Sequence, residues 1–566
     1  MNFAILKSRL ALSALLIFAL CLIAAGQETK DARTDQVDKI FAAWDKKDSP
    51  GCALAVIRDG RIIYKRGYGM AHLEQNSPIA STTAFDIGSV SKQFTAMSVL
   101  LMAEQGKLSL DDDIRKYLPE MPQYESPVTI RQLVHHTSGL RDYLTLVALQ
   151  GGGRDEDFYV DGEVVDLLAR QKQLNFKPGD QWLYSNSGYF LLSQIVKRAS
   201  GKTLRQFADE NIFKPLGMKH TRFNDDHTEI IENRAQGYGP RQGGGFSISV
   251  SPLDMVGDGN VVTTVEDLFL WDQNFYRNKL GKGGQQLINE ALKTGVLNSG
   301  EKLEYAAGIF ITKYKGLNEA SHGGAFVGYR AGILRFPDQQ FSVACECNLA
   351  TIDPMTLAHR VADIYLADQF KQEAAKSGDA SPEFMELSES ELKDKVGAFR
   401  NSNNGAIWKL NIREGKLTAD FPGASLQFAA VSANEFHSLN GPVKRTLKFD
   451  QSRLMWMTIE GQKPVRFEAV ELVTPSPAEL ARYAGDYYSD ELGVTYKIAF
   501  EGGKLYIRHE NRYKELPTSA LEPTLRDTFF IQGITLNFKR DEQKQVNAFT
   551  MDAGRVRNIG FVKRAG

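Results

Sequence analysis

The chain has 566 residues, 42 % of them hydrophobic and 24 % charged. These are ordinary globular values that exclude bulk disorder, and the length suggests about two to four domains. With 68 Lys and Arg against 69 Asp and Glu the net charge is −1, so no nucleic-acid footprint and no long charged tail is present. Four cysteines in so long a chain cannot form a disulfide framework.

At the amino terminus Lys7 and Arg9 precede an apolar run over residues 10–25, with small residues at Ala24-Ala25-Gly26. This pattern predicts a secretory signal peptide over residues 1–26, since the run is shorter than the about 20 residues that cross a bilayer. A membrane anchor is the rival reading. Cys21 does not read as a lipoprotein site, because Leu20 before it is too bulky. No later run reaches 18 continuous apolar residues, so the mature protein is expected to be secreted or periplasmic and not membrane-spanning.

Residues 53–57 and 61–64 flank Asp59-Gly60, a hairpin signal. A long apolar helix is predicted over residues 89–105, stopped by Gly106, and another over 191–199, stopped at Ser200-Gly201. Two strand-like runs, 329–336 and 341–347, are separated by Pro337-Asp338. Strands at both ends with helices between predict one α+β domain over residues 27–370 whose ends join a single sheet. Cys345 and Cys347 alternate along the last strand and share a face. With no further ligands nearby, these two and Cys52 read as buried thiols, with one disulfide to Cys52 as the alternative.

Residues 371–386 form a polar linker. Beyond it the pattern becomes short alternating strands, and it repeats. Gly397, Phe399, Trp408 and Gly415 recur as Gly485, Tyr487, Tyr496 and Gly503, each 88 residues on. Two small antiparallel barrels are therefore predicted, over 387–474 and 475–566. Trp408, Phe436, Trp456, Tyr487 and Phe530 read as barrel core rather than as a ligand box.

Several motifs fail. G-x-S-x-G occurs nowhere, Gly201-Lys202-Thr203 lacks the earlier glycine of a phosphate loop, and Gly67-Tyr68-Gly69 lacks the third dinucleotide glycine. His135-His136 is adjacent rather than i, i+4, so no metal is expected. What survives is Ser89-Val90-Ser91-Lys92 at the start of the apolar helix. A serine in a first helical turn has free backbone N–H groups beside it, and a lysine three residues on lies on the same face. Burial would lower that lysine's proton affinity and let it take the serine proton.

The same chain carries Tyr184-Ser185-Asn186 and His322-Gly323-Gly324, in order and at domain-scale separations. They are framed by Gln132–Leu140 (QLVHHTSGL), Lys177-Pro-Gly-Asp180 and Phe213-Lys-Pro-Leu-Gly-Met218. Together these resemble the class C β-lactamase-like, penicillin-binding-protein-like serine hydrolases, over roughly residues 35–370. The family's chemistry is acyl transfer through an acyl-serine. The resemblance implies Ser89 as nucleophile, Lys92 as its proton acceptor or relay, and Tyr184 as proton shuttle coupled to Lys92. It implies that Asn186 bonds the substrate amide and that the N–H groups of Ser89 and Ala325 form the oxyanion hole. His322, Gly323 and Gly324 would line the substrate strand, with no cofactor. At the third motif β-lactamases usually have Lys-Thr-Gly, and histidine is mostly neutral at pH 7. That departure argues against efficient β-lactamase action and toward the D-aminopeptidase and esterase branch. The D-aminopeptidase type carries two lipocalin-like barrels, as predicted here.

The leading expectation is an exported serine hydrolase for small peptide, amide or ester substrates, including D-amino-acid ones, with peptidoglycan fragments as candidate ligands. The alternatives are an esterase, a β-lactamase or DD-carboxypeptidase, and, in a different class, a non-catalytic peptidoglycan- or ligand-binding protein. Nothing in the sequence sets the oligomeric state.

Overall fold

The computed structural model describes residues 32–152, 157–370, 384–402, 405–421, 424–440, 444–450, 453–459, 464–509 and 520–564. The signal-peptide reading, Cys21 and most of the predicted linker lie outside these residues.

Cys52–Arg58 (β1) and Arg61–Tyr68 (β2) form the expected hairpin, turning through Asp59 and Gly60 at φ 49° and 75°. Such a pair of left-handed residues matches the twist of the flanking strands. The chain then leaves the sheet for a helical layer. This holds Lys92–Glu104 (α1), Tyr143–Leu149 (α2) and Asn186–Ser200 (α3). It returns as Phe310–Tyr314 (β3), Leu317–Phe326 (β4), Tyr329–Phe336 (β5) and Phe341–Cys347 (β6), then Pro354–Tyr365 (α4). The six strands are ordered β3-β4-β5-β6-β1-β2, all neighbours antiparallel. The two ends of the domain thus meet as β1 beside β6, as the strand pattern predicts.

The sheet is covered on both faces, which explains the unbroken apolar run of β1. Leu54, Val56, Val343 and Cys345 pack with α4 and with Phe41, while Ala53, Ala55 and Ala344 face the core shared with α1 and α3. Among the described residues, no helix is long and apolar enough to cross a membrane.

The expectation of three buried thiols is corrected. Cys52 stands opposite Cys347 in the ladder with Cα atoms 4.0 Å apart, and the two form a disulfide. Cys345 stays free and buried, its Sγ 3.7 Å from that of Cys347. Alternation along β6 shows which face the cysteines share. It does not show the register that sets Cys52 against one of them.

Two closed eight-stranded antiparallel barrels follow, built from residues 397–470 and 485–563. The repeat maps onto equivalent places. Gly397 and Gly485 open the first strands with φ 138° and 145°, and Phe399 and Tyr487 are fully buried. Trp408 and Phe436 are core, but Trp456 is exposed and Phe530 half-buried. Trp456 points outward because its neighbours Met455 and Met457 take the inward positions of the same strand.

The second barrel shares one apolar core with the α+β domain; the core of the first barrel is separate. Its last hairpin, Val546–Ala553 (β7) and Val556–Lys563 (β8), reverses at Gly554-Arg555 against the helical layer. Asn175 clamps that turn: its Nδ2 donates to the Arg555 carbonyl at 2.9 Å, and its Oδ1 accepts the Arg557 N–H at 2.8 Å.

Candidate active site

The predicted helix over residues 89–105 is divided. Gly88–Ser91 is a 3₁₀ turn, and the α-helix proper begins at Lys92. Gly88, at φ 48°, bends the chain into this turn, and its N–H is held by the Asp86 carboxylate at 2.7 Å. Ser91 faces inward, its Oγ accepting the Val261 N–H at 3.0 Å, which leaves Ser89 on the open side.

Lys92 is fully buried, and its three N–H donors meet three acceptors. Nζ lies 3.2 Å from Ser89 Oγ, 2.9 Å from Asn186 Oδ1 and 2.6 Å from the Asp258 carbonyl. It also sits 4.8 Å from the centre of the Tyr184 ring. The Tyr184 hydroxyl is buried and has no hydrogen-bond partner among the described residues. Asn186 is the first residue of α3, and its N–H, which no helical carbonyl can accept, donates to Asp142 Oδ2 at 2.7 Å. The first and second sequence motifs are therefore joined through Lys92 and Asn186.

The third motif comes in along β4. A Cβ on Gly324 would stand 1.9 Å from the Ile87 carbonyl oxygen and 3.2 Å from the Ser89 nitrogen. One on Gly88 would stand 2.7 Å from the Ala325 nitrogen. The two glycines thus let the strand and the serine turn approach backbone to backbone, bringing the Ser89 and Ala325 nitrogens to the same place. Gly323 is less constrained, since its Cβ would meet the flexible Met355 side chain at 3.2 Å and a backbone oxygen, that of Ala331, no closer than 3.9 Å.

His322 lines the cleft, but its ring is satisfied inside the protein. Nδ1 donates to the Gly323 carbonyl at 2.6 Å and Nε2 accepts from the Tyr305 hydroxyl at 3.1 Å. Burial, helped by the nearby charge of Lys92, pushes the imidazole down to about 4, so it is neutral at pH 7. Beneath the cleft, burial raises the Asp258 carboxyl to about 6, opposed by Lys92.

These groups open into one cleft of about 660 Å³, lined by Ser89, Tyr184, Asn186, His322, Gly323, Gly324 and Ala325. The residues expected from the sequence, with Lys92 at the floor, all converge. Sequence reasoning missed four more. Asp142 and Tyr305 hold Asn186 and His322, and Asp258 contributes through its main chain, a role no side-chain pattern reveals. Arg555 lines the same cleft from the second barrel, 466 residues after Ser89.

The family model described as Beta-lactamase matches residues 37–366. The chain belongs to the beta-lactamase family. Among relatives of this beta-lactamase-family chain, "Penicillin-binding protein 4*" of Bacillus subtilis is 29 % identical over 327 residues, 55 % of this chain and 71 % of that protein. A "D-aminopeptidase" of Brucella anthropi is 25 % identical over 524 residues, 90 % of this chain and 95 % of that protein. An alignment covering 90 % of this chain extends into the barrels. The solved octameric penicillin-binding protein homologue from Pyrococcus abyssi is similar in fold at 21 % identity, with a TM-score of 0.54 over 77 % of this chain and 99 % of that one. With this membership, the chain is a serine hydrolase of the β-lactamase-like fold, the α+β architecture expected, followed by two barrels.

Proposed function

We propose that the protein hydrolyses peptide or amide bonds of small substrates, D-amino-acid derivatives among them, through an acyl-enzyme on Ser89. The observation that carries this is the buried Lys92 ammonium position, 3.2 Å from Ser89 Oγ and 4.8 Å from the centre of the Tyr184 ring.

Lys92 and Tyr184 act as one proton relay. The pair accepts the Ser89 proton as Oγ bonds to the substrate carbonyl carbon. The resulting oxyanion sits at the N–H groups of Ser89 and Ala325. Tyr184 then gives the proton to the leaving nitrogen as the C–N bond breaks. Water then gives a proton to the same pair as its oxygen bonds to the acyl carbon, and as the C–Oγ bond breaks the pair returns that proton to Ser89 Oγ. Asn186, fixed through Oδ1 by Lys92, keeps its amide N–H groups for the substrate. His322 is neutral and internally satisfied, so it shapes the cleft rather than supplying a cation.

The full-length likeness to a protein named D-aminopeptidase supports the amide and D-residue reading. The basic-then-apolar amino-terminal sequence and the Cys52–Cys347 disulfide support export to an oxidising compartment. The test is side-by-side labelling of the purified chain with a fluorophosphonate and a fluorescent penicillin, followed by turnover of D- and L-amino-acid amides. Labelling by the fluorophosphonate with faster turnover of the D-amides is expected. No labelling at all would favour the non-catalytic binding reading.

A further inference from the structure

The cleft wall contributed by the second barrel carries a cation for which the catalytic scheme above has no use. Arg555 occupies the tip of the β7–β8 hairpin, and Asn175 holds the backbone there through the Arg555 carbonyl and the Arg557 N–H. Its guanidinium carbon lies 4.7 Å from the centre of the Tyr184 ring, the ring that Lys92 also approaches. The side chain is 44 % exposed and lines the cleft with Ser89. Among the described residues it has one ion-pair partner, Asp142, at 3.7 Å, which is too far for a hydrogen bond. Asp142 is already engaged by the N–H groups of Asn186 and Thr145. The other carboxylates on the cleft are also committed: Asp353 caps the start of α4, and Asp258 accepts from the Tyr143 hydroxyl. A guanidinium with donors to spare, on a backbone anchored by Asn175, therefore faces the substrate space.

We infer that Arg555 is a specificity residue that binds a carboxylate on the leaving group, so that the favoured substrates are peptides releasing an amino acid with a free carboxylate. This rests on the reading of Ser89 and Tyr184 above. If Tyr184 protonates the leaving nitrogen, the leaving group lies against that ring, on the side where Arg555 stands. A guanidinium matches a carboxylate with two parallel N–H···O bonds. The second barrel thus supplies the permanent cation that His322, satisfied and neutral, does not. A free amine in the same place would meet a like charge.

The test compares an N-acetylated D-dipeptide with its C-terminal carboxamide, in wild type, Arg555→Gln and Arg555→Lys, all as full chains. Wild type should prefer the acid. Arg555→Gln should reduce the acid-to-amide ratio of kcat/KM at least tenfold, mainly through KM, and Arg555→Lys should recover part of it. Stoichiometric acylation of Ser89 by p-nitrophenyl acetate is measured in parallel. If wild type acylates and cleaves the peptides but the ratio is unchanged in Arg555→Gln, the role of Arg555 is overturned and the hydrolase reading stands. If wild type neither acylates nor cleaves, the hydrolase reading falls and takes this one with it.

Discussion

Arg141 of the helical layer and Glu491 of the second barrel meet 2.6 Å apart, with both side chains almost wholly removed from water. Arg141 also donates to the carbonyls of Arg557 and Asn558, and Glu491 accepts the Lys172 N–H. A satisfied network of this kind fixes how the barrel docks, and so where Arg555 reaches the cleft.

Removing one partner leaves a buried charge without compensation, at a cost of about 3–5 kcal/mol. Glu491→Ala should therefore give an early unfolding step in urea, as the second barrel loosens from the domain beside it. A variant with an unaltered denaturation profile would show that the apolar contact alone holds the barrel.

Tyr184→Phe and Lys92→Ala should each lower kcat/KM by about 10²–10⁴-fold, as expected for groups that move protons in the transition state. The double variant should be little worse than either single one, because members of one catalytic unit fail together. Losses that multiply would assign the two residues separate roles.

Gly324→Ala should lower the acylation rate by about 10²-fold or more, because the new methyl group cannot fit against the Ile87 carbonyl and the strand must retreat from the oxyanion site. Gly323→Ala, whose one tight neighbour is the flexible Met355 side chain, should lose far less. Pre-steady-state ester bursts distinguish them. Equal losses would mean that the close approach of β4 to the serine turn is not what matters.

The stability of the fold should carry the signature of His322. Its imidazole falls to about 4 in the folded chain against an ordinary 6.5. The unfolded state therefore takes up a proton that the folded state refuses, and this costs stability as pH drops from 6.5 toward 4, by about 3 kcal/mol at the lower end. Relative to wild type, His322→Gln should gain about 2–3 kcal/mol between pH 7 and pH 4.5 in urea denaturation. A difference that does not change with pH would mean that His322 takes up its proton as readily in the fold as in the unfolded chain.

The sequence made the sheet legible because β1, β5 and β6 are short apolar runs bounded by turn residues, and the barrels legible because their glycines and aromatics recur at one spacing. Ser89 and Lys92 were legible because three residues' spacing at a helix start puts both on one face, and Tyr184 and Asn186 because they resemble the family's second motif. The disulfide was not, since it depends on the register of β1 against β6. Nor was the division of the first helix, where Gly88 imposes a 3₁₀ turn before Lys92. Arg555 carries no local signal at all. Only the docking of the second barrel through Arg141, Glu491 and Asn175 brings it to the cleft.

The most direct measurement is intact and peptide-level mass spectrometry of the protein after brief exposure to p-nitrophenyl acetate. One acetyl group per chain, located on Ser89 and absent from Ser89→Ala, is the predicted result. An acetyl group on any other residue, or a stoichiometric adduct on the Ser89→Ala variant, would contradict the account.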